Sequence, residues 1–229
     1  MLKNFRLVTA ICFLLSLLLG LCPGMYVSGG NLEDLVDEVD LVAEPDTRKA
    51  VDSLYHLGIL IDEIEDNWHY RPGDPLRRSD LIAILIRSMG PDYEAIAEEE
   101  KGDTVFADVS SDHWASGYVN LAWQLELTLG YEYIGVRLFR PERAVSYCEL
   151  FTFMVRLTGH ATRVTDQPWP WGYLQVAEEL ELTTGIELTD ESTYFPATRG
   201  DVAKVTQRAV YHTIHPEHNQ SIAEARFAW

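Results

Sequence analysis

The chain repeats itself, and that limits its possible folds more than any single motif does. Laid without a gap on Trp169 to Gly185, the stretch from Trp114 to Gly130 keeps Trp114 over Trp169, Gly117 over Gly172, Tyr118 over Tyr173 and Ala122 over Ala177. Leu125-Glu-Leu-Thr128 then falls on Leu180-Glu-Leu-Thr183, and Gly130 on Gly185. A second pattern occurs three times: Asp80 precedes Arg87, Glu149 precedes Arg156 and Asp201 precedes Arg208, always at the same distance. Gly90 and Gly159 close the first two copies, and Tyr211 stands in the third. Self-similarity over tens of residues marks units that must stack on one another to bury a shared core.

Each unit reads as helix, loop, capped helix. Ser146 with Glu149, and Thr198 with Asp201, have the spacing of a capping box, in which hydroxyl and acid satisfy the backbone N–H groups of a helix start. The acid also lies at the positive end of the helix dipole, and the arginine two turns later near the negative end. In the first copy Arg77 takes the hydroxyl position, which predicts a poorer cap. The stretch from Leu81 to Met89 is apolar over most of a helix circumference and belongs at the centre. These signals predict a mainly α protein with units at 46–90, 106–159 and 169–211. An acidic linker at 91–105 and a short one at 160–168 join them. An acidic amphipathic lead-in at 31–45, with Leu32, Leu35, Val36 and Val39 on one face, precedes the first unit, and a tail at 212–229 follows the third.

Composition narrows the partners. Of 229 residues, 47% are hydrophobic, enough for a packed core, and the formal charge is −18. That charge excludes nucleic acid as a partner, since binding a polyphosphate needs a cationic surface. Residues 1–29 read as a signal peptide: Lys3 and Arg6, an apolar run from Leu7 to Leu21, then small residues to Gly30. The run is shorter than the roughly 20 apolar residues of a spanning helix, so a membrane enters only if the leader stays uncleaved. Cys12 and Cys22 lie in the leader, which leaves Cys148 without an internal disulfide partner and predicts a buried thiol on a helix.

The residues of these copies resemble the S-layer homology family. The second copy carries Phe106-Ala-Asp108-Val109, His113-Trp114-Ala115 and Phe139-Arg-Pro141; the first carries Tyr70-Arg-Pro72 and Leu76-Arg-Arg78-Ser-Asp80; the third carries Ala197-Thr-Arg199-Gly-Asp201. The resemblance implies three repeats in a pseudo-threefold helical bundle. It also implies grooves between repeats that bind secondary cell-wall polysaccharide, often pyruvylated, on Gram-positive bacteria. The motif arginine that grips the acidic sugar maps onto Arg78 and Arg199. A planar guanidinium beside a helix N-terminus suits a carboxylate. The second copy has Tyr147 at that place, the first lacks both leading motifs, and the third replaces the His-Trp-Ala motif with Trp169-Pro-Trp171-Gly.

Trp114 and Trp169 are expected either as core anchors, the usual fate of a repeated Trp at a helix start, or as stacking surfaces for a sugar. Arg87, Arg156 and Arg208 are expected to hold helix carbonyls or bridge units. His212, His215 and His218 are spaced by three, but Pro216 separates them and no metal site is assigned. No P-loop, G-x-S-x-G or H-E-x-x-H pattern occurs and no cofactor is implied, so an enzyme is not expected. The expected function is therefore a secreted, non-catalytic module that binds anionic wall polysaccharide through Arg78 and Arg199, with Trp114 and Trp169 beside them. The alternative is a degenerate fold of the same kind that serves as an assembly unit among other surface proteins.

Overall fold

The computed structural model describes residues 45–61 and 70–211, with backbone alone at 213–215 and 220–221. The expected leader, almost all of the lead-in and the side chains of the three tail histidines lie outside the described residues. Seven α-helices follow in order among the described residues: α1 Pro45–His56, α2 Arg78–Met89, α3 Pro91–Glu99, α4 Ser116–Gln124, α5 Tyr147–Leu157, α6 Trp171–Glu179 and α7 Arg199–Tyr211. The fold is mainly α, as expected. Two antiparallel hairpins add short strands, β1 Tyr131–Tyr133 with β2 Val136–Leu138, and β3 Thr213–His215 with β4 Gln220–Ser221. No described helix is long and apolar enough to cross a membrane.

The segments that lead into α2, α5 and α7 meet in a closed ring. The Leu76 N–H donates to the Ala197 carbonyl at 3.1 Å, Ala197 to Val145 at 2.8 Å, and Val145 back to Leu76 at 2.9 Å. A second ring runs outside it, from Arg78 to Arg143 at 3.0 Å, Tyr147 to Phe195 at 3.2 Å and Arg199 to Asp74 at 2.7 Å. Side chains at these positions differ, but the backbone N–H groups make equivalent bonds in all three lead-ins.

Helix packing follows the same cycle. α4 packs on α2, α6 on α5 and α1 on α7. Each opening helix therefore lies on the capped helix of the preceding copy, and the first copy closes on the third. The capped helices form the core: Leu81, Ile82, Leu85 and Ile86 of α2, Leu150, Phe151, Met154 and Val155 of α5, and Val205, Ala209 and Val210 of α7 are fully buried. α2 is central, as its all-round apolar sequence predicts.

The caps divide as expected. The Ser146 N–H donates to Glu149 Oε2 at 2.9 Å, and the Asp201 N–H donates to Thr198 Oγ1 at 3.1 Å. Arg77 makes no side-chain cap; its Nε instead donates to Asp80 Oδ2 at 3.0 Å. Cys148 is a free, buried thiol on α5, whose ionisation burial pushes up.

The acidic linker contains a helix. Residues 91–99 form α3, started by Pro91, and its Ala97 is 1% exposed against α4. A Cβ on Gly117 would come within 1.8 Å of the Ala97 carbonyl oxygen, so the two backbones approach through small residues. Such a contact leaves no apolar stripe to read, and the surrounding acids make the segment look like a solvated connector. Residues 161–163 in the second linker form a 3₁₀ turn.

Candidate ligand-binding grooves

Asp108 positions the first groove. Its two carboxylate oxygens accept the N–H groups of Phe139 and Arg140, each at 2.7 Å, and so hold the loop before α5. The Phe139 carbonyl in turn accepts Arg78 Nε at 2.8 Å. Arg78 Nη1 reaches Glu149 at 3.1 Å, and its guanidinium lies 5.0, 4.9 and 5.2 Å from the rings of Tyr131, Phe139 and Phe153. Aromatic faces suit a weakly hydrated, planar cation. The Arg143 guanidinium also donates to Glu149 and to the Tyr131 hydroxyl.

Arg78 forms the floor of a cavity of about 300 Å³, walled by Tyr131, Glu149, Thr152, Arg156 and Trp169. Trp169 is 51% exposed and its indole N–H donates to Thr152 Oγ1 at 3.0 Å. The groove is thus built from three places: the first residue of α2, the body of the second copy, and Trp169 just before α6.

A second cavity of about 210 Å³ repeats the plan. Arg199 lines it together with Tyr70, Arg77, Asp80, Arg87 and Trp114. Residue for residue, Arg199 stands for Arg78, Asp80 for Glu149, Arg87 for Arg156 and Trp114 for Trp169. Arg199 Nε donates to the Tyr70 carbonyl at 2.9 Å, as Arg78 does to Phe139, and the guanidinium sits 4.8 Å from the Tyr70 ring. The Tyr70 hydroxyl donates to the Arg199 carbonyl at 2.9 Å. Three arginines and one carboxylate line it, and outside the lining Arg77 also pairs with Glu142 and Arg87 with Glu94, each at 3.0 Å. The first groove sets two arginines against one carboxylate.

At the third position the chemistry changes. The Tyr147 phenol donates to Asp201, the counterpart of Glu149 and Asp80. Burial, then the bond to Asp201, pushes the phenol up to about 12. Burial pushes the Asp201 carboxyl up, but the bonds from Lys204, Tyr147 and Thr198 outweigh it and leave it low. The phenol itself carries no charge, and the cation at this position is Lys204, whose Nζ lies 2.8 Å from Asp201.

The four residues singled out in the sequence therefore fall in pairs, Arg78 with Trp169 and Arg199 with Trp114, each pair in one groove. The core-anchor reading of the tryptophans is corrected: Trp114 is 45% exposed and Trp169 51%, and both face grooves. Arg78 is corrected in the other direction. It is 3% exposed and ion-paired, while Arg199 is half-buried. Arg87 and Arg156 do bridge copies, through the hydroxyls of Tyr118 at 3.3 Å and Tyr173 at 3.2 Å, but they also line the grooves. Their constant distance from the helix acid was the signal that could have placed them there. Arg156 and Arg208 also donate to the carbonyls of Leu127 and Leu182, each at 3.2 Å. Among the described residues no group of three or more His, Cys, Asp or Glu side chains is placed to hold a metal.

No protein-family model matches the chain. It is 29% identical over 91% of its length to "Cell surface protein" of Thermoanaerobacter kivui, of which the match covers 25%. It is 28% identical over 73% of its length to "Middle cell wall protein" of Brevibacillus brevis, covering 15% of that protein. A third relative, "Surface layer protein" of Brevibacillus choshinensis, is 28% identical over 61% of the chain and is covered to 12%. The chain thus spans a quarter or less of each of these relatives, and along most of its own length it is similar to proteins of the bacterial surface.

Proposed function

We propose that the chain is a non-catalytic module of the cell surface that binds an anionic wall polysaccharide, with three S-layer-homology-like repeats in a pseudo-threefold bundle. The surface location is supported by the names of its relatives, and the cyclic bundle by the closed ring of backbone bonds. The observation that carries the binding reading is the groove in which Arg199, Arg87 and Arg77 face a half-exposed Trp114. A carboxylate-bearing sugar, such as a pyruvate ketal, fits it: guanidinium groups take the acid and the indole takes a ring face. Arg78 is too buried to lead and works as the floor of a weaker second groove.

The test is co-sedimentation with purified secondary cell-wall polysaccharide. Arg199→Ala and Trp114→Ala should each lower the bound fraction about tenfold, and mild acid hydrolysis of the ketal should do the same to the parent. Undiminished sedimentation of both variants overturns the reading. One feature favours the assembly alternative instead: the tip of the β1–β2 hairpin exposes Tyr133 at 62%, Ile134 at 84% and Val136 at 43%. Polysaccharide binding lost from the parent, together with crosslinks at the hairpin, would select it.

A further inference from the structure

The second and third copies differ in what fills one space. In the second, Phe106 is 1% exposed, meets Trp123 edge-on at 5.8 Å and Phe139 at 5.6 Å, and lies so near Gly130 that a Cβ there would come within 2.3 Å of its ring. In the third, the gapless match puts Ala161 at the place of Phe106 and Glu178 at that of Trp123. Counting back from α7 as from α5 puts Glu191 at the place of Phe139. None of the three aromatics is kept. A Cβ on Gly185, the counterpart of Gly130, meets nothing within 4 Å.

A cleft of about 480 Å³ runs along α6 with Glu178, the counterpart of Trp123, in its wall, and falls within the roughly 300–1,000 Å³ of small-molecule sites. Gln167, Trp171, Gln175 and Glu178 line it from the helix side, Thr189 and Asp190 from the facing loop. The cleft shares no lining residue with either arginine groove. We propose that it binds a neutral polyhydroxylated ligand, a pyranose unit without an anionic group.

Four observations carry this assignment. No Lys or Arg lines the cleft while two carboxylates do, which repels an anion and offers paired acceptors to hydroxyl groups. The amides are already aligned: Gln167 Nε2 donates to Gln175 Oε1 at 3.0 Å, and Gln175 Nε2 donates to Glu179 Oε1 at 3.1 Å. The loop opposite is braced, with the Thr189 N–H donating to Ser192 Oγ at 2.7 Å and the Ser192 N–H to Thr189 Oγ1 at 3.1 Å. Trp171, with Leu174 and Leu188, supplies an apolar wall for the C–H face of a sugar ring. A purely apolar occupant would desolvate the Glu178 and Asp190 carboxylates without compensation, at a cost a hydroxyl-rich ligand avoids.

The experiment titrates the full chain with uncharged tetrasaccharides of N-acetylglucosamine, glucose and mannose, read by tryptophan fluorescence and backbone amide shifts. Saturable shifts confined to 167–193 are expected with at least one of them. Trp171→Ala, and Gln175→Trp, which fills the cleft from an exposed position, should each weaken binding about tenfold. Arg199→Ala should leave it unchanged while lowering charged-polysaccharide binding about tenfold, so the two sites fail separately. No shift with any of the three sugars, or full binding by folded Gln175→Trp, overturns the proposal.

Discussion

Arg78 and Glu149 meet at 3.1 Å with side-chain exposures of only 3% and 8%, and through this pair the first capped helix is fixed to the second. Burial lowers the Arg78 guanidinium to about 10, against the pull of Glu149 and helped by Arg143. Burial also pushes the Glu149 carboxyl up, although Arg78 and the Ser146 N–H pull it down. Both groups shift toward neutrality, so desolvation outweighs their mutual attraction. A pair of this kind fixes relative position more than it adds net stability.

Breaking one side should nonetheless be costly. Arg78→Ala leaves Glu149 buried with Arg143 as its remaining cation, so a loss of about 3 kcal/mol is expected, the low end for a broken buried pair. Arg78→Lys should recover little, because an ammonium cannot both lie among three rings and donate to the Phe139 carbonyl. Urea unfolding measures both; a loss below about 1 kcal/mol for the alanine variant would show that the pair is not structural.

Tyr147 gives a pH signature. An unfolded phenol ionises near 10 and the folded Tyr147 near about 12, so in that window the folded chain holds more protons. Its stabilising contribution is complete below pH 10 and is lost as pH rises toward 12. Tyr147→Phe removes this ionisation, and its unfolding free energy should fall less steeply than the parent's across the window. Denaturant titrations at successive pH values, compared between the two proteins, isolate Tyr147 from the other tyrosines; parallel curves would contradict the assignment.

Local chemistry was legible in the sequence. The bonds between Thr198 and Asp201 and between Ser146 and Glu149 span one helical turn, and spacing alone implies them. The pairing of Arg78 with Trp169, and of Arg199 with Trp114, was not, because it depends on the ring joining Leu76, Val145 and Ala197 through backbone atoms that no side-chain pattern records. The unlike burial of the two motif arginines was also hidden. Tyr131, on a strand present in the second copy, comes within 5.0 Å of the Arg78 guanidinium, and nothing in the motif itself announces that neighbour. The exposure of Trp114 and Trp169 was equally silent, since a repeated tryptophan reads alike whether its neighbours cover it or leave a groove.

Asp108 should matter despite its exposure. It accepts two backbone N–H groups in the loop that presents the Phe139 carbonyl to Arg78, and one of them belongs to Arg140, whose φ is +60°. Hydrogen bonds to a charged acceptor contribute roughly 1.5–3 kcal/mol when buried, and exposure lowers that. Asp108→Ala is therefore expected to lose about 2 kcal/mol in all, and Asp108→Asn, which keeps one acceptor oxygen, about half as much. Thermal unfolding of the two variants orders them; equal losses would mean that the second oxygen contributes nothing.

Gly130 and Gly185 share a positive φ, +66° and +70°, and differ in surroundings, which makes them a matched pair. Alanine at Gly185 meets no atom within 4 Å and bears the left-handed backbone alone, about 1 kcal/mol. Alanine at Gly130 also drives its Cβ to 2.3 Å from the Phe106 ring and 2.6 Å from the Leu138 carbonyl oxygen. Neither can yield cheaply, since Phe106 is wedged between Trp123 and Phe139, so overpacking adds about 2 kcal/mol. Gly130→Ala should thus unfold at clearly lower urea than Gly185→Ala and disturb the near-ultraviolet signal of Trp123. If the two variants lose the same stability, Phe106 does not fill the second copy as described.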